Sequence, residues 1–212
     1  MQPQLQITSR IQILKNNIFK DGKIAFEYSG ENTSDFLRAI YKYLEISYPK
    51  FYKMDNLSKL GFLASELLLK GKKLAENYLP EEIGICLSNN NSSLDADIKY
   101  FQSTQDIASP SLFLYTLPNI VIGEICIRNK IQGENSFFIS SDFDPEVLYN
   151  YVELLFEEQV LRACICGWVE CFESEYSVLL MLVEMDVQNS RMTFTKDNCS
   201  QLYNQINGKI NG

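Results

Sequence analysis

Few residues in this 212-residue chain have the types and spacing that covalent chemistry needs. It contains no histidine, the usual general base near neutral pH and the commonest metal ligand. Ser-His-Asp, Cys-His and histidine-metal arrangements are therefore closed within this chain. Carboxylate and lysine chemistry stay open, and Asp142 with Asp144 forms a candidate acid–base pair in the run SSDFDPE. The same run reads more simply as a helix start, with an aspartate cap, proline in the first position and acid against the helix dipole. The six cysteines (Cys86, Cys126, Cys164, Cys166, Cys171 and Cys199) make no CxxC pair. Five lie inside apolar patterns, which suits small core residues in a reducing cytoplasm better than a disulfide framework or a zinc site. No metal and no cofactor is expected.

The elements that must hold these residues follow from periodicity. Residues 5–28 read as two short strands around the turn Lys20-Asp21-Gly22-Lys23. Ser34 or Asp35 is placed to cap a helix running to about Ser47, and Pro49 stops it. A longer helix is predicted from about Asp55 to Asn77 on a stripe of leucines. IGICL, residues 83–87, reads as a buried strand closed by the turn after Ser88. A weak helix follows over 94–104, then a helix from Leu117 to Lys130. SFFISS, residues 136–141, is a strand, and Asp144-Pro145-Glu146 opens a helix lasting to about Gln159. Strands over Arg162 to Phe172 and Tyr176 to Asp186 precede a last amphipathic helix from Thr195 to about Gln205 and the tail NGKING. Alternating helices and apolar strands imply a three-layer α/β/α domain with a mixed sheet. No linker or repeat divides the chain, so residues 1–212 are expected to form one domain.

Composition narrows the rest. At 46% apolar and 12% aromatic residues the chain can bury a substantial core. A net charge of -8 opposes nucleic-acid binding, which needs clustered Lys and Arg. No apolar run is long enough to span a membrane, and the N-terminus lacks the apolar stretch of a secretory signal, so a cytoplasmic location is expected.

Four segments in order, covering about residues 54–185, resemble the β-ketoacyl synthases of the thiolase fold. MDNLSKLGFLASELLL is similar to an early family helix. EEIGICLSNNNSSLDADIKYFQ resembles the following strand, turn and helix. ASPSLFLYTLPNIVIGEICIRNKIQG is similar to the family stretch "asP..f..tlpN..ag.iai..gl.G" and is the most specific of the four. CICGWVECF and YSVLLMLVE resemble two later strands. The resemblance implies the N-terminal half of that fold, with about five strands in the sheet.

The resemblance also implies a loss. In active members the strand after the family's Gly-Pro leads to a cysteine nucleophile at a helix N-terminus, where the dipole lowers the thiol pKa. Counting from Gly133 puts Asp142 at that position, a degenerate nucleophile. The C-terminal half, which carries the family's His and Lys residues, is expected to be missing. By the same resemblance Ser136, Phe137, Phe138, Ile139 and Ser140 are dimer-interface candidates, and Phe113, Leu114, Tyr115 and Thr116 are acyl-channel candidates.

These features imply a non-catalytic subunit, chain-length-factor-like or a scaffold, in fatty-acid-like or polyketide-like biosynthesis, such as a pathway to a polyene pigment. Its expected partner is a full-length β-ketoacyl synthase in a heterodimer, or a second copy in a homodimer. Acyl carrier proteins are acidic, so an acidic chain is expected to meet one only indirectly. The alternative from another class is a residual acyl-thioester hydrolase using Asp142 with Lys or Tyr, or a stand-alone acyl-binding domain.

Overall fold

The computed structural model describes residues 4–185 and 192–206. Its sheet is mixed and eight-stranded, in the order β3-β2-β1-β7-β6-β4-β5, with β8 paired to β1. The strands are β1 (Leu5–Leu14), β2 (Asn17–Lys20), β3 (Lys23–Glu27), β4 (Ile83–Asn89), β5 (Asn135–Ile139), β6 (Ala163–Phe172), β7 (Glu175–Met185) and β8 (Met192–Thr193). This exceeds the expected five or so: the N-terminal segment joins the same sheet with three strands rather than two, and the two-residue β8 is a further addition. Asp21 and Gly22 make the expected tight turn, with φ of 52° and 82°. Lys15 and Asn16 make a second one at φ of 44° and 65° without a glycine to announce it.

Periodicity of two along the central strands sorts their side chains onto two faces, and both faces are buried. On β7, Val178, Leu180 and Leu182 enter one core while Leu179, Met181 and Val183 enter the other. The first core is closed by α1 (Thr33–Tyr43), α2 (Asn56–Leu69) and α6 (Ile120–Asn129). The second is closed by α7 (Pro145–Glu157) and α8 (Lys196–Ile206). The three-layer expectation is met. α8 covers its face of the sheet through Cys199, Leu202, Tyr203 and Ile206.

Several helix boundaries differ from the sequence reading for local reasons. Asn32, not Ser34 or Asp35, caps α1, accepting the Asp35 N–H at 3.1 Å. The helix expected to reach Asn77 stops at Leu69, where Gly71 takes a left-handed φ of 82°; a single turn, α3 (Leu74–Asn77), resumes beyond it. The weak helix is α4 (Leu94–Ser103), and an unforeseen five-residue helix, α5 (Pro110–Leu114), precedes α6, which begins at Ile120 rather than Leu117. Asp186 and the NGKING tail lie outside the described residues.

Candidate functional site

Two regions carry the residues singled out by sequence: the turn after β5 and the segment between α4 and α6. β5 runs parallel to β4 and ends the sheet path, so it is an edge strand within the chain. Its run Phe137-Phe138-Ile139 is apolar on both faces, the pattern of a central strand. Phe137 packs against the first core and Phe138 against the second, which accounts for that pattern at an edge. Ile139 is 55% exposed, and the strand carries no Lys or Pro of the kind that blunts edge pairing. Ser136 is hydrogen-bonded to Tyr151 of α7 at 2.7 Å.

At the carboxyl end of this edge the chain turns through Ser140, Ser141 and Asp142. Ser140 donates to the Asp142 carbonyl. One Asp142 carboxylate oxygen accepts the Phe143 N–H at 2.9 Å and the Tyr203 hydroxyl of α8 at 2.7 Å. The Tyr203 ring stacks on Phe143 at 4.7 Å and meets Trp168 edge-on. Asp144 caps α7, accepting the Glu146 and Val147 N–H groups at 3.0 Å each. Both carboxylates of the candidate acid–base pair are thus engaged by the fold. The neighbouring loop after β4 is closed in the same manner: Glu170 accepts the N–H groups of Asn90 and Asn91.

No thiol is in this turn. All six cysteines are free, and five are buried. Burial holds the Cys86 and Cys166 thiols well above the ordinary value and pushes Cys199 and Cys171 up to about 12 and Cys126 up to about 11. This is the reverse of nucleophile activation. Among the described residues no group of three or more Cys, Asp or Glu is arranged to hold a metal ion.

The acyl-channel candidates split. Phe113, at 55% exposure, and Leu114 face outward from α5, Thr116 is half-buried, and Tyr115 is buried. Sequence reasoning missed what surrounds them. Leu94, Ile98 and Phe101 form an exposed i, i+4, i+7 stripe along α4, and Ile107 beyond it is 87% exposed. That spacing was legible in LDADIKYFQ. Also missed was Glu124 of α6, which is 2% exposed, takes the Lys50 ammonium at 2.9 Å and accepts the Tyr115 hydroxyl at 3.2 Å. Among the described residues no helix is long and apolar enough to cross a membrane.

No protein-family model and no curated protein matches the sequence. Solved structures do match it. The ishigamide ketosynthase/chain length factor superposes with a TM-score of 0.62 at 16% identity, covering 89% of this chain and 64% of that one. A chain from the complex of the ketosynthase ApeO with its chain length factor ApeC, from Xenorhabdus doucetiae, gives 0.59 at 14% identity, covering 97% and 92%. A β-ketoacyl synthase from Burkholderia phymatum gives 0.58 at 10% identity, covering 86% and 59%. The chain therefore spans about three-fifths of the first and third of these but nearly all of the Xenorhabdus chain. At such identities the likeness establishes architecture: the chain is built on the thiolase-like fold of ketosynthases and chain length factors.

Proposed function

We propose that this chain is a ketosynthase-like subunit without condensing activity of its own. It acts as a chain-length factor or scaffold beside a full-length β-ketoacyl synthase, in cytoplasmic fatty-acid-like or polyketide-like biosynthesis such as a polyene pigment pathway. The observation that carries this reading is Asp142. By the resemblance it falls at the family's nucleophile position, and in the fold it is tied to Tyr203 and to the Phe143 N–H. A carboxylate there cannot hold an acyl group as a thioester, and no histidine is present to assist decarboxylation.

Partnership is supported by the unprotected β5 edge, Ser136 to Ser140, and by the exposed Phe113 and Leu114. It is supported also by the near-equal length of the Xenorhabdus chain, which belongs to a complex of a ketosynthase with its chain length factor. In the complex, Phe113 to Thr116 would help bound the acyl channel, and the ketosynthase would supply the nucleophile and the basic docking surface for the carrier protein. Co-expression with ketosynthases from the same genome tests this. A stable heterodimer is expected; a chain that stays monomeric, or only self-associates, in the presence of every one of them contradicts it.

The Asp142–Tyr203 couple gives the hydrolase alternative one supporting observation, a carboxylate beside a phenol. Turnover of malonyl or acyl thioesters by the isolated chain, lost in Asp142→Asn, would favour that alternative. Absence of turnover in wild type ends it.

A further inference from the structure

The segment from Leu94 to Leu117 carries seven exposed large apolar side chains, yet only Ala96 and Tyr115 within it are buried. Few buried apolar contacts mean low local stability, so the segment depends on polar ties to keep its place. One is Ser93, whose hydroxyl donates to the Thr116 carbonyl at 2.5 Å. The other is the Tyr115 hydroxyl on buried Glu124. The same Glu124 oxygen takes Lys50, while the second, Oε2, is buried with no hydrogen-bond partner among the described residues. A half-satisfied buried carboxylate is costly, and a packed apolar side chain at position 124 would fill the core at lower cost. Its geometry does two things such a side chain would not do: it pairs with Lys50 and it grips Tyr115. Lys50 is partly exposed and carries three donors, so its ammonium can satisfy the carboxylate when Tyr115 leaves.

We propose that Lys50, Glu124 and Tyr115 form a latch that seats the 94–117 segment and releases it to readjust when a partner covers its apolar face. Glu124 is then a positioning residue, setting where Phe113 and Leu114 stand. The partner, a ketosynthase, and the role in setting the channel rest on the reading above; the seating of the segment by the latch rests on geometry alone.

Hydrogen exchange on the full chain tests it. Tyr115→Phe keeps the ring packing and removes only the hydroxyl. Amides of 94–117 are expected to exchange about tenfold faster, the effect of losing one buried hydrogen bond, while those of β4, β6 and β7 keep their rates. Lys50→Arg, which retains a cation, is expected to exchange as wild type does. Unchanged exchange in Tyr115→Phe, or an equal rise throughout the molecule, overturns the latch. Glu124→Gln gives a second reading, since the amide can accept the same hydroxyl but no longer balances Lys50. A ketosynthase captured by wild type adds a readout that simple destabilisation does not move: Tyr115→Phe should shift the length distribution of products without loss of the complex. If wild type captures no ketosynthase the functional reading fails, and the exchange result still decides the latch.

Discussion

The turn after β5 and the 94–117 segment lie in one small domain and are built in opposite ways. In the first, Asp142, Asp144 and Glu170 are each engaged by backbone N–H groups, and α8 lays Tyr203 across Phe143 and Trp168. In the second, seven large apolar side chains are exposed and only Ala96 and Tyr115 are buried. By resemblance, the first holds the nucleophile position of condensing enzymes, and the second contains the acyl-channel candidates Phe113 to Thr116. The closed region has the character of a finished core, and the open one is an exposed apolar surface.

The largest effect should separate the two regions by stability. Tyr203→Ala removes the ring stack, the edge contact and the donor to Asp142, and should lower unfolding free energy by about 3–5 kcal/mol in urea titration. Phe101→Ser, at a position 67% exposed, should change it by less than about 0.5 kcal/mol. Comparable costs would break the contrast. Next, Ile139→Lys places a charge on the free edge without emptying the core. It should weaken ketosynthase capture more than about tenfold, judged against the usual worth of an interface residue, with little change in thermal midpoint.

A smaller effect concerns the thiols. Because burial raises the pKa values of Cys86, Cys126, Cys166, Cys171 and Cys199, these thiols remain protonated at pH 8, and a disulfide reagent should label native protein slowly, beginning with half-buried Cys126. Rapid labelling of several thiols in native protein would show that the cores open. The smallest effect belongs to Asp55, which caps α2 and whose carboxyl is held above the ordinary value by burial. Its folded pKa lies above its unfolded one, so its contribution favours folding when protonated and declines as pH rises through that interval. Asp55→Asn keeps the cap and should flatten this decline, giving a small gain in stability at neutral pH by denaturant titration.

Much of the architecture was legible because it is local. Asp144-Pro145 marks the start of α7, Asp21-Gly22 marks a hairpin, and the continuous apolar runs of β6 and β7 mark strands buried on both faces. What failed depended on backbone conformations that residue type signals weakly, such as the left-handed Lys15-Asn16 pair. By resemblance, the turn was legible as an aspartate where the family carries a cysteine. Its closure was not, because Tyr203 reaches Asp142 across 61 positions of sequence. Glu124 likewise sat unremarked within an apolar helix pattern, since its partners Lys50 and Tyr115 come from separate elements.

Native mass spectrometry of the co-expressed pair, after incubation with an acyl thioester, tests the central claim most directly. The account predicts a one-to-one complex in which the acyl mass is found on the ketosynthase subunit and none on this chain. An acyl adduct on this chain, or no complex at all, would contradict it.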